Sequence, residues 1–274
     1  MTKRTDTPDL RSHFHLTAVP FTREIGVRDL WPSAIYQQPL KDLTHTLRQR
    51  MSAVLLAPSG TGKTGVLRAL EDQLPAARYR CHYVKVTSLS KRDLCREIAT
   101  VTGIEPVGTY PALVRKLQTG FSSDVSQGGI QPVLILDEAQ DMRPEVLQIL
   151  RILTNFEMDS RLVLSLVLAG DGRLERLLQR QDIEPVRRRM AHLATLRLLS
   201  REETRSYMEH RIRVAGGKEL PFDHDAVEAV FEISRGNLRA IDHVARKAMY
   251  YACQQGISTI DSGLVTEARQ SLLL

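Results

Sequence analysis

Two clusters of residues in this chain have the types and spacing for chemistry on a phosphate. The first is Ala57-Pro58-Ser59-Gly60-Thr61-Gly62-Lys63-Thr64, which follows the apolar run Ala53-Val54-Leu55-Leu56 and opens a helical pattern from Gly65 to Gln73. Strand, glycine-containing turn and helix in that order make a phosphate-binding P-loop. Gly60 and Gly62 let the backbone fold back so that successive N–H groups point inward, and the N-terminus of the helix adds its partial positive charge. Pro58, Ser59, Gly60, Thr61, Gly62, Lys63 and Thr64 are therefore the candidate nucleotide contacts. Lys63 is placed for the β- and γ-phosphates and the Thr64 hydroxyl for Mg²⁺. Ala57 stands where the motif has its first glycine.

The second cluster ends another apolar run. Val133-Leu134-Ile135-Leu136 has the length and continuity of a buried strand, and it delivers Asp137 and Glu138 to the edge of a sheet. Asp137 is placed to hold the Mg²⁺ shell. Glu138, one residue on, points elsewhere and is placed to polarise the water that attacks a γ-phosphate. The pair of clusters predicts ATP and Mg²⁺ as ligands.

Strands separated by helices carry these clusters. The pattern predicts helices over 39–50, 65–73, 91–102, 111–118, 144–156 and 173–179, with strands near 80–86, 161–168 and 193–198 besides the two above. The polar, glycine-rich stretch 120–129 reads as a loop. Alternation of this kind means a parallel sheet covered on both faces. At Ser200 the character changes, because Ser200-Arg201-Glu202-Glu203 is a capping box and all that follows is helical. The expected organisation is a mobile arm over 1–13, an α/β nucleotide-binding domain over 14–199 with a five-stranded parallel sheet, and a small all-α lid over 200–274. The segment Phe14 to Phe21 is expected to pack on the α/β domain near the base. An apolar pocket for adenine is expected around Trp31, Ile35 and Tyr36, with no contact residue assigned.

Composition bounds the rest. A length of 274 residues with 42% hydrophobic content suffices for one such domain and an appendage. No run approaches the ~20 apolar residues that span a bilayer, and no signal-peptide core follows Met1, so a cytoplasmic protein with no membrane partner is expected. Cys81, Cys95 and Cys253 are scattered and read as reduced, packed thiols. His13 and His15 lack a third ligand nearby and read as packing or surface residues. The formal charge of +6 and the pI of 9.4 tilt towards a polyanionic partner. Lys91 and Arg92 stand at the start of a predicted helix, where cations oppose the helix dipole, and a bound polyanion would rationalise them.

The P-loop, Asp137-Glu138, the Arg187-Arg188-Arg189 cluster before the fifth strand and the helical lid together resemble an AAA+ ATPase. Within that superfamily, several stretches are similar to the ExeA-type and TnsC/TniB-type group: Phe14 to Phe21, Asp137-Glu138-Ala139-Gln140, Leu153 to Glu157, Leu168-Ala169-Gly170, Leu198 to Glu203 and Ser234 to Arg239. The resemblance implies that Arg239 senses the γ-phosphate from the lid. It implies that one of Arg187 to Arg189 is an arginine finger for the neighbouring subunit's nucleotide, with Arg189 preferred and Arg187 second. Such a finger is worth on the order of 10³ to 10⁵ in rate in GTPases. Where many relatives have a polar sensor ending the fourth strand, this chain has Ala169-Gly170-Asp171, so Asp171 or Asn155 would have to replace it.

A finger supplied in trans implies self-assembly into a ring or helical filament. In the transposition ATPases of the group the assembly encloses duplex DNA, and the DNA-facing positions correspond to Lys91, Arg92 and Thr109. These would contact phosphates and position DNA without reading sequence. The leading expectation is thus an ATP-dependent, DNA-binding regulator of transposition that recruits a transposase, with a target-selecting protein as a further partner. The alternative is an ExeA-type secretion ATPase, which is expected to carry a membrane segment and a wall-binding domain as well. Replication-initiator or clamp-loader types would bring a further DNA-binding domain, and a DEAD-box-like helicase a second RecA-like domain.

Overall fold

The computed structural model describes residues 9–272. In chain order the elements are α1 (Leu10–His13), α2 (Ala34–Arg48), β1 (Ser52–Leu56), α3 (Lys63–Gln73), β2 (Tyr79–Lys85), α4 (Lys91–Thr102), α5 (Tyr110–Gly128), β3 (Gln131–Asp137), α6 (Pro144–Leu147), α7 (Ile149–Leu153), β4 (Ser165–Gly170), α8 (Gly172–Leu178), α9 (Glu184–Arg187), β5 (Met190–Thr195), α10 (Arg201–Val214), α11 (His224–Ser234), α12 (Leu238–Gln255) and α13 (Ser262–Gln270). By contact they form two compact units. One comprises residues 33–59 and 63–197. The other comprises the segment up to Pro32, the P-loop apex Gly60–Gly62 and the chain from Leu198 onward.

The first unit is an α/β layer structure. Its five strands are all parallel, in the order β2-β3-β4-β1-β5. Every residue of β1, β3 and β4 is buried, as the continuous apolar runs require of strands covered on both faces. The edge strand β5 alternates partly exposed and exposed positions before its one buried residue. Parallel strands place all their C-terminal ends on one edge, so the loop after β1, the Asp137-Glu138 turn after β3 and the Gly170-Asp171 turn after β4 share that edge.

Several boundaries differ from the sequence pattern for local physical reasons. The stretch 120–129, read as a loop, is helical as far as Gly128. Leu113, Leu117 and Phe121 recur every four residues and are all fully buried, and Gly129 closes the helix in the left-handed conformation at φ +61°. Gly120 serves close packing there, since a Cβ would lie 2.6 Å from Ile104 Cδ1. The predicted helix over 144–156 divides into α6 and α7 around Gln148. Strand β4 begins at Ser165 rather than 161, because Glu157, Met158 and Asp159 all take positive φ and turn the chain first. Strand β5 lies at 190–195 rather than 193–198, in register with Ser52–Leu56. Helix α2 starts at Ala34 and keeps Pro39 inside it, buried.

The second unit holds α1 and α10 to α13. Ser200 and Glu203 form the expected reciprocal capping box, worth about 1 kcal/mol. The segment before Pro32 groups with these helices, a departure from its expected place on the α/β domain. Phe21 is fully buried edge-on to Phe222, Arg211 Nη2 donates to Thr22 O at 2.6 Å, and Trp31 packs edge-on to Tyr207 at 5.7 Å. Of the arm expected over 1–13, residues 1–8 lie outside the described residues, and Asp9 caps the short helix α1. No helix among the described residues is long and apolar enough to cross a membrane. The three cysteines are free thiols, and burial pushes Cys81 and Cys95 up to about 11.

Gly236 and Gly256 separate backbone strain from steric conflict. Both have positive φ, +76° and +68°, but a Cβ at Gly236 would collide with the backbone of Leu199, whereas one at Gly256 meets nothing within 4 Å. In urea denaturation, Gly256→Ala should cost about 1 kcal/mol and Gly236→Ala about 3 kcal/mol or more. Equal losses would contradict the tight approach at Leu199.

Candidate nucleotide site

The loop after β1 is pinned before it turns. Ala57 N–H donates to Gly170 O at 2.9 Å and Leu196 N–H to Leu56 O at 2.8 Å, so the end of β1 is held from both sides. Ala57 itself is buried and keeps a negative φ, which is why alanine is accepted at the position of the motif's first glycine. The turn proper needs glycine at Gly60 and Gly62, at φ +80° and +94°. Lys63 then opens α3, buried, and the exposed Thr64 follows it. Gly60 lies against Asn237, and its carbonyl accepts from the Arg239 N–H at 3.2 Å; Arg239 is exposed in the first turn of α12.

Asp137 is almost wholly buried, at 2% exposure, yet charged groups surround it. The Lys63 ammonium pairs with Asp137 Oδ1 and, at 3.0 Å, with Glu138 Oε1. The Tyr83 hydroxyl donates to Asp137 Oδ2 at 2.9 Å, and the Glu138 N–H donates to Asp137 Oδ1 at 2.8 Å. Burial and the neighbouring Asp137 charge push the Tyr83 hydroxyl above the ordinary tyrosine range. Tyr83 was not singled out in the sequence. Its place on β2, two residues before Lys85, which pairs in register with Asp137, was its only signal.

Glu138 leaves the strand in the left-handed conformation, φ +56°, and starts a tight 3-10 turn over Ala139–Asp141. Burial works against its charge, but hydrogen bonds from Gln140 and Lys63 and the charges of Lys63 and Lys85 hold its carboxyl below the ordinary value. Glu138 is thus an ionised, partly exposed acceptor beside a buried one. Gln140 donates to Glu138 Oε2 at 2.6 Å, a contact the sequence did not announce.

The donors fit a nucleotide with Mg²⁺. No group of three or more His, Cys, Asp or Glu that could hold a metal occurs among the described residues. A single buried carboxylate, Asp137, and the exposed Thr64 hydroxyl suit instead a hard cation whose remaining ligands are phosphate and water. A buried ammonium facing two carboxylates is also the partner a phosphate would take over.

Other expected residues fall into two places. Lys91 and Arg92 are exposed on the first turn of α4, and Arg92 Nη2 donates to Gly108 O at 3.0 Å, which brings it beside Thr109, the exposed N-cap of α5. Lys116 joins them by reaching Val107 O at 3.2 Å. In the arginine cluster, Arg189 is tied to Asp159 at 2.6 Å and to Thr154 at 3.0 Å, and Arg188 to Glu184 at 2.7 Å. Arg187 is exposed and has no hydrogen bond or ion pair among the described residues, so it, rather than Arg189, is the free guanidinium. Arg188 and Arg189 line a groove of about 630 Å³ together with Gln118, Arg151 and Asn155.

Residues 45–178 match the family model described as AAA domain. Over 262 residues the chain is 29% identical to general secretion pathway protein A of Aeromonas hydrophila, covering 93% of this chain and 47% of that protein. The chain spans about half the length of the curated relatives it matches. Among solved structures it is similar to Cdc6p from Pyrobaculum aerophilum, with TM-score 0.70 and 19% identity over 91% of this chain and 72% of that one. It is also similar to the Aeropyrum pernix ORC1 protein in complex with DNA, with TM-score 0.64 and 17% identity over 89% and 68%. At these identities the structural likenesses speak for the fold. The stretch matched by the family model contains both the P-loop and the Asp137-Glu138 pair, and the fold that carries them is the AAA+ P-loop fold.

Proposed function

We propose that this chain is an ATP-dependent regulator of DNA transposition that assembles on duplex DNA and recruits or activates a transposase. The observation that carries the enzymatic part is Lys63 held between the carboxylates of Asp137 and Glu138 at the end of β3. Entry of the triphosphate replaces those partners: the N–H groups of Pro58 to Thr64, proline excepted, turn to the phosphates, and the Lys63 ammonium follows them. Thr64 and Asp137 would hold Mg²⁺, which neutralises charge on the phosphate oxygens when bound. Glu138, no longer shared with Lys63, takes a proton from the water that bonds to the γ-phosphorus as the bridging oxygen leaves with ADP. Arg239 monitors the γ-phosphate, and an arginine from a second copy completes the site.

Support for the DNA-binding part is the juxtaposition of Lys91, Arg92 and Thr109 on one exposed surface and the net charge of +6. Such contacts to phosphate give affinity without sequence preference. The transposase, the target-selecting partner and a ring or filament rest on the resemblance to the TnsC/TniB group. A second reading, a secretion-type ATPase, is favoured by the 29% identity to general secretion pathway protein A. Duplex DNA separates the two readings, since the second needs none.

Lys63→Ala should lose ATP binding, whereas Glu138→Gln should keep it and lose turnover by on the order of 10²- to 10⁴-fold, read by fluorescent-nucleotide titration and phosphate release. Unchanged turnover in Glu138→Gln would remove that residue from its role.

Duplex binding with a non-hydrolysable ATP analogue should weaken with salt, by roughly 0.9 in log–log slope for each phosphate neutralised. Changing both Lys91 and Arg92 to alanine should flatten that slope by about 2. A slope that stays at the wild-type value places the DNA elsewhere, and no duplex binding at all favours the second reading.

Mixing Arg187→Ala subunits with Lys63→Ala subunits should restore part of the hydrolysis that each lacks alone. If no ratio restores it, Arg187 does not act across subunits.

A further inference from the structure

The side-chain amide of Gln140 joins the ends of two strands. Its Nε2 donates to Glu138 Oε2 at 2.6 Å, and its Oε1 accepts from the N–H of Asp171, the first residue beyond β4, at 3.3 Å. Space for this bridge depends on Gly170, where a Cβ would lie 2.6 Å from Gln140 Oε1. The tight turn after Glu138 brings the amide back over the strand ends.

The two residues expected to supply a polar group at the end of β4 are engaged elsewhere. Asp171 caps α8 by accepting from Arg173 N–H at 2.8 Å and pairs with the Arg173 guanidinium. Asn155 lines the groove beside Arg189 and accepts from Asp159 N–H at 3.2 Å. Strand β4 itself ends in Ala169-Gly170, with no polar side chain. The Gln140 amide is a polar side-chain group that does reach the end of β4, at Gly170 and the Asp171 N–H.

We propose that Gln140 is the positioning residue for the water-polarising carboxylate, and that it supplies from the turn after β3 the polar contact that the end of β4 lacks. This rests on the reading of Glu138 given above. The carboxylate divides its oxygens between two donors, Oε1 to Lys63 and Oε2 to Gln140. When phosphates draw the Lys63 ammonium away, Gln140 is the side-chain donor left on the carboxylate among the contacts of the described residues. Its second bond ties that plane to the backbone at Asp171, so a shift of the β4 end moves the base.

Gln140→Met, of similar length but with neither bond, separates positioning from packing. Turnover should fall about 10- to 100-fold, as for other residues that orient a catalytic group. KM, the affinity for a fluorescent ATP analogue and the melting temperature should stay near wild type. Exchange of the Asp171 amide with deuterium should quicken in the nucleotide-free protein, a readout independent of hydrolysis. Gln140→Asn, which keeps the amide but withdraws it by one methylene, should fall between. Wild-type turnover in Gln140→Met, or a loss matched by equally weakened nucleotide binding, overturns the proposal. If Glu138→Gln retains full turnover, the underlying reading of Glu138 fails instead, whatever Gln140→Met does.

Discussion

A buried ammonium held by two carboxylates is the interaction on which the rest of this structure depends. Lys63 and Asp137 are 8% and 2% exposed, and taking both charges out of water costs several kcal/mol per ion. Their attraction, the Tyr83 hydroxyl and the Glu138 N–H offset that cost without making the pair a strong source of stability. The arrangement makes better sense as a set of partners waiting to be exchanged. In the proposed function, a triphosphate would offer Lys63 more charge than Asp137 and Glu138 do, and it would arrive with a cation for Asp137. The same contacts are the ones that a phosphate would replace in the proposed function.

The fold suits the proposed exchange by presenting buried strand ends. Strand β3 is buried on both faces along its full length, so the backbone that carries Asp137 is held in place. Between β3 and β1 in the sheet lies β4, whose last residues must remain small: Gly170 receives the Ala57 N–H on its carbonyl and leaves room for Gln140. The P-loop, the turn after β3 and the turn after β4 are therefore linked by direct hydrogen bonds and not merely adjacent. A change at any one of them is felt by the other two.

Much of this was legible in the sequence because it is written in local pattern. The glycines at 60 and 62 announce positive φ, the apolar runs announce buried strands, and Ser200 with Glu203 announces a helix start. What stayed hidden depends on contacts between distant segments. The helix through Gly128 is polar on most of its surface, and only the burial of Phe121 reveals why it continues. Arg187 and Arg189 are two residues apart and alike in type, yet Asp159, thirty residues away, engages one and not the other. Tyr83 and Gln140 are likewise ordinary residues until strand register and the turn after β3 bring them to the carboxylates. The segment before Pro32 shows the same limit, since its partners Tyr207, Arg211 and Phe222 lie nearly two hundred residues on in the chain.

The most direct measurement is a structure of the chain with a non-hydrolysable ATP analogue and Mg²⁺. The account predicts that the Lys63 ammonium has left both carboxylates for the phosphates, that Asp137 keeps its bond from Tyr83, and that Glu138 is still held by Gln140 and faces the γ-phosphate. A bound nucleotide with Lys63 still clamped between Asp137 and Glu138 would contradict it.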